Sequence, residues 1–91
     1  MATENHIDFS AWEQRFAQKA GGEVCARANP GEPARVLLVL RRDGLDYSKA
    51  RYFSDGDFAA LDQARAESVL DSFGAEILAA VANPQRFVVN A

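Results

Sequence analysis

Arg35-Val36-Leu37-Leu38-Val39-Leu40-Arg41-Arg42-Asp43-Gly44-Leu45-Asp46-Tyr47-Ser48-Lys49-Ala50-Arg51-Tyr52-Phe53 is the stretch on which the fold turns. Its first part predicts a strand over Arg35 to Arg41, because β-branched and aliphatic residues fit a pleated surface. Asp43-Gly44 predicts a tight hairpin, since both residues accept the positive φ of a two-residue turn. Leu45 to Phe53 then returns as the second arm. With that loop, Arg42 faces Leu45 and Arg41 faces Asp46, an opposite-charge pair that contributes about 0.2–1 kcal/mol.

The register sorts the hairpin into two faces. One carries Val36, Leu38, Leu40, Tyr47, Lys49, Arg51 and Phe53. The other carries Arg35, Leu37, Val39, Arg41, Asp46, Ser48, Ala50 and Tyr52. The second, with small Ala50 beside Leu37 and Val39, is expected to take the helices. Because Val36 to Leu40 is apolar on both faces, cover is expected on both sides, with the second face covered by the N-terminal helix or by another subunit.

Working toward the N-terminus, Asn29-Pro30-Gly31-Glu32-Pro33 is a turn segment, and Glu23 to Ala28 reads as a short first strand. Before it, Phe9, Trp12, Phe16 and Ala20 recur at helical spacing, and Gly21-Gly22 stops the helix. Ser10 and Glu13 have capping-box spacing, and Asp8 is an equally suitable cap. Residues 1–7 are expected to be a flexible segment, leaving 8–91 as a single domain.

Toward the C-terminus, Ser54 and Asp57 repeat the capping spacing, and residues 57–82 hold no proline. Leu70, Phe73, Ile77, Leu78 and Val81 form an amphipathic stripe. Phe58 and Leu61 lie about a right angle away from it at ~3.6 residues per turn, so the segment is one bent helix or two, broken near Ser68. Asn83-Pro84 ends it, and Arg86 to Asn90 reads as a final strand. The expected fold is therefore α+β, in the order α-β-β-β-α(α)-β. A small antiparallel sheet, a three-stranded meander plus a C-terminal strand, is packed by an N-terminal helix and one long or two shorter helices.

The formal net charge of −3 is unevenly placed: −2 over residues 1–23, +3 over 24–52 and −4 over 53–91. Two surfaces follow. Arg35, Arg41, Arg42, Lys49 and Arg51, with Tyr47, would serve an anionic partner; Asp55, Asp57, Asp62, Glu67, Asp71 and Glu76 would serve a basic protein. A pI near 5.0 disfavours a dedicated nucleic-acid binder.

Residues for chemistry are scarce. The single histidine, His6, lies in the N-terminal segment, and the single cysteine, Cys25, is expected as a buried thiol. No disulfide or multi-cysteine metal site can be assembled, and no catalytic dyad, cofactor motif or metal-ligand set is found. Asp55, Asp57 and Asp62 lack the ligand spacing of a calcium loop. No aliphatic run is long enough to span a bilayer, and no leader pattern opens the sequence. Eight arginines against two lysines, with seventeen alanines, fit a GC-rich bacterial genome. The expected function is a small non-enzymatic protein-interaction module in a bacterial cytoplasm, with a homodimer as one form. The alternatives are a nucleic-acid or anionic-ligand binder using the basic hairpin, and a small acidic inhibitor of phage or defence type using its acidic helix.

Overall fold

A computed structural model describes residues 7–31 and 33–82. Helix α1 (Ser10–Ala20) leads into β1 (Glu23–Asn29), β2 (Ala34–Arg42) and β3 (Leu45–Phe53), followed by a short helix α2 (Asp55–Ala59) and a long helix α3 (Gln63–Ala82). The strands form one antiparallel sheet in the order β1-β2-β3. The expected final strand at Arg86 to Asn90 and His6 lie outside the described residues. Ile7, grouped by sequence with the N-terminal segment, packs against the core.

The hairpin follows its sequence closely. Asp43 and Gly44 sit at φ 55° and 79°, the left-handed region that a two-residue turn demands. Arg42 pairs with Leu45 and Arg41 with Asp46, and the register continues to Ala34 opposite Phe53.

The covered face is the reverse of the expected one. Val36, Leu38 and Leu40 are fully buried, in one cluster with Trp12 and Phe16 of α1 and Leu70, Phe73 and Ile77 of α3. Three large aliphatics in alternation outweigh Leu37 and Val39, each such side chain gaining about 1.5–3 kcal/mol from burial. Lys49 and Arg51 do not prevent this, because their long stems let the charges reach the rim. Opposite the buried positions of β2, β1 presents Val24, Ala26 and Ala28, which leave room for α1.

The helical half is two helices, and the break falls at Ala60–Asp62, not near Ser68. Ser54 caps α2 as its spacing predicts, its hydroxyl accepting from the Asp57 amide at 3.1 Å. Asp62 starts α3: its carboxylate accepts from the Arg65 amide at 2.8 Å, satisfying a first-turn donor. Ser68 lies within α3 and starts nothing.

At α1 the Ser10–Glu13 capping box does not form. Asp8 serves instead, its Oδ1 accepting from the Ser10 amide at 2.9 Å and the Ser10 hydroxyl at 2.7 Å. Glu13 turns to the sheet, where its Oε2 accepts from the Ala26 amide at 2.6 Å. A carboxylate there satisfies an outward N–H of edge strand β1, a need the local spacing of the helix does not reveal. Gly21, at φ 71°, closes α1 by donating to the Ala17 carbonyl at 2.8 Å.

The two long helices meet at a close contact. A Cβ on Gly74 of α3 would lie 2.9 Å from Phe16 Cε1. Phe16 stacks on Trp12 with ring centroids 5.0 Å apart, and Trp12 Nε1 donates to Asp71 at 2.9 Å. Among the described residues, no helix is long and apolar enough to cross a membrane.

Candidate functional site

With the helices on one side, the ladder assembles an uncovered surface on the other. Glu23, Cys25, Arg27 and Asn29 of β1 stand opposite Arg41, Val39, Leu37 and Arg35 of β2. Those in turn stand opposite Asp46, Ser48, Ala50 and Tyr52 of β3. Alternation along each strand places all twelve on one face. Cys25, Leu37 and Val39 are half-buried and belong to neither the core nor the residues packed against it, while Tyr52 is 58% exposed. The expected cover on this side is absent among the described residues.

The centre of the face is apolar and its ends are charged. At one end Arg41 grips Asp46, Nε to Oδ1 at 2.9 Å and Nη2 to Oδ2 at 3.3 Å. The hydrogen bonds from that guanidinium hold the Asp46 carboxyl below the ordinary aspartate value. At the other end lies Arg35, opposite Tyr52, while Arg27 stands one row further in, opposite Leu37. Arg27 Nη1 is 3.7 Å from Glu13 Oε2, whereas Arg35 has no ion pair among the described residues.

The basic residues singled out by sequence do not gather on this surface. Arg35 and Arg41 lie on it. Tyr47, Lys49 and Arg51 occupy the helix side of β3, and Arg42 ends the same side of β2. Lys49 Nζ meets Glu76 Oε1 at 2.7 Å, and Arg51 stands over the Phe53 ring at 5.4 Å from its centroid. Tyr47 and Phe53 pack against the core, and Arg42 Nε is 3.6 Å from Asp43.

The acidic residues are similarly dispersed. Asp62 caps α3, Glu67 accepts from Gln63 Nε2 at 2.6 Å, Asp71 holds Trp12, and Glu76 holds Lys49. Asp55 and Asp57 stand exposed in the first turn of α2, where a carboxylate suits the helix dipole. Among the described residues, no group of three or more His, Cys, Asp or Glu side chains is placed to hold a metal ion.

Cys25, Arg27, Leu37, Val39 and Tyr52 are the residues that sequence reasoning did not assign to a site. Their signal was the Arg35-x-Leu37-x-Val39-x-Arg41 alternation, two aliphatics bracketed by cations, which is the pattern of a half-solvated face. No family model, no curated protein and no solved structure matches the chain.

Proposed function

We propose that the protein is a non-enzymatic interaction module of a bacterial cytoplasm that binds a protein partner through its uncovered sheet face. One observation carries this reading: Leu37 and Val39 sit in the middle of the sheet, yet the helices cover only the opposite side. A central strand with aliphatics on both faces gains from cover on both. The surface has the anatomy of an interface, with an apolar centre of Cys25, Leu37, Val39 and Ala50, exposed Tyr52 at one end, and a polar rim. Arg35 at one end asks for an acidic group on the partner, next to its apolar patch.

The test compares immobilised wild-type protein with Leu37→Asp and Val39→Asp variants, each shown by circular dichroism to be folded, in extract from the native cell. The expected result is a protein retained by wild type and lost by both variants. The same protein retained equally by all three would overturn the assignment.

A further inference from the structure

The second feature without a partner is an edge. Glu13 and α1 occupy the outer side of β1, where the Ala26 amide points away from the sheet. Antiparallel alternation then directs Val24 and Ala28 outward too, and on the far strand it directs the backbone groups of Asp46, Ser48, Ala50 and Tyr52 outward. β3 is nine residues long, and no described residue hydrogen-bonds to this row. The two exposed large hydrophobics among the described residues, Leu45 and Tyr52, are both on β3. A long edge of this kind is a template for another strand.

We infer that β3 pairs antiparallel with β3 of a second copy, joining two sheets into one of six strands. This deepens the interaction reading by naming a homodimer contact distinct from the uncovered face. The outward residues are the even-numbered ones, so they must meet each other, and a two-fold axis through Lys49 achieves this over the full strand. Asp46 then faces Tyr52 of the second copy, Ser48 faces Ala50, Tyr47 faces Arg51 and Leu45 faces Phe53. Leu45 gains an aromatic neighbour, and Tyr47 with Arg51 makes a cation–π pair in both directions. Lys49 meets Lys49, but each is already neutralised by its own Glu76 at 2.7 Å. Shifting the register by two residues in one sense sets Lys49 against Arg51, and in the other sets Phe53 against Asp43. The same axis brings the Arg41–Arg42 end of one copy about two strand spacings, ~10 Å, from the Asp55–Asp57 turn of the other, within reach of long side chains of opposite charge.

Chain chirality favours a second copy over a later segment of the same chain. Viewed from the helices with β3 running upward, L-residues facing the viewer direct their backbone groups to the right, so β2 lies to the right of β3. α3 runs back along β3, from Arg65 and Val69 near Phe53 to Glu76 at Lys49. A following strand on the free left edge would be parallel to β3 through a left-handed crossover, which chains avoid.

Two measurements test the inference. Light scattering at high concentration should give about twice the 9.9 kDa chain mass for wild type and the single-chain mass for Ala50→Pro. Proline at 50 deletes only an outward N–H and leaves the β2 ladder in place. Independently, Lys49→Cys in a Cys25→Ser background should oxidise to a disulfide dimer, because an antiparallel pair without mutual hydrogen bonds sets its Cα atoms ~4.5 Å apart. Gln18→Cys, on the exposed side of α1, should not. A wild-type monomer, or Lys49→Cys linking no faster than Gln18→Cys, overturns the edge contact while leaving the face reading to its own test. A dimer that survives Ala50→Pro but is lost with Val39→Asp also overturns it, and assigns self-association to the face.

Discussion

Gly74→Ala sets two effects of known sign against each other. Alanine in a helix interior is favoured over glycine by about 0.8–1.0 kcal/mol. Against this, the added Cβ would lie 2.9 Å from Phe16 Cε1 and 3.3 Å from Cδ1. Phe16 has little freedom to yield: it is 5% exposed and stacked on Trp12, which is tied in turn to Asp71. Overpacking of this type costs about 1–3 kcal/mol, so the net expectation is destabilisation of ~1 kcal/mol despite the better helix former. Urea unfolding followed by Trp12 fluorescence measures it, with an unchanged slope expected if the denatured state is unaffected. The double mutant with Phe16→Leu should recover more than 0.5 kcal/mol relative to additivity, as contacting residues do at about that scale or above. Stabilisation by the full propensity difference, with no coupling to position 16, would refute the proposed steric contact between α1 and α3.

Three further outcomes follow from the same packing. Leu38→Ala should cost ~2–5 kcal/mol in urea unfolding, since the side chain is fully enclosed, whereas half-buried Leu37→Ala should cost less than half as much. Asp62→Ala should cost ~1 kcal/mol by removing the α3 cap, and Asp62→Asn should restore most of it. Asp8, held low by the Ser10 hydroxyl and amide, and Asp46, held low by Arg41, bind protons less readily folded than unfolded. Their contribution is therefore complete above the ordinary aspartate value and is lost as pH falls through their lowered values. Asp8→Asn with Asp46→Asn should accordingly flatten the acid limb of the stability–pH curve relative to wild type.

Local rules were legible where they acted without competition. Asp43-Gly44 determined the hairpin register down to the Arg41–Asp46 pair, and Trp12, Phe16 and Ala20 are the buried stripe of α1, continued by Phe9 at its N-cap. The covered face was not legible from the hairpin alone. It depends on Ala26 and Ala28 leaving space on β1 and on where α3 lands, both long-range facts. Ser68 and Asp62 are both acceptable caps, so cap residues alone do not place the helix break; Leu61, on the rotated apolar line, lies at it. Glu13 shows the same competition, as its carboxylate satisfies a β1 edge amide in preference to the backbone of its own helix. The candidate site inherits these limits. Lys49 and Arg51 look like a binding face when counted along β3, but Glu76 and Phe53 already engage them.

The single thiol provides the most direct measurement of whether the uncovered face is a docking surface. Cys25 lies on that face, opposite Val39, and is half-buried. Maleimide labelling of Cys25 should proceed readily in the purified folded protein, slow markedly in extract from the native cell, and return to the purified rate when Val39→Asp is introduced. Labelling at the same rate in extract as in buffer would contradict the assignment of the face to a protein partner.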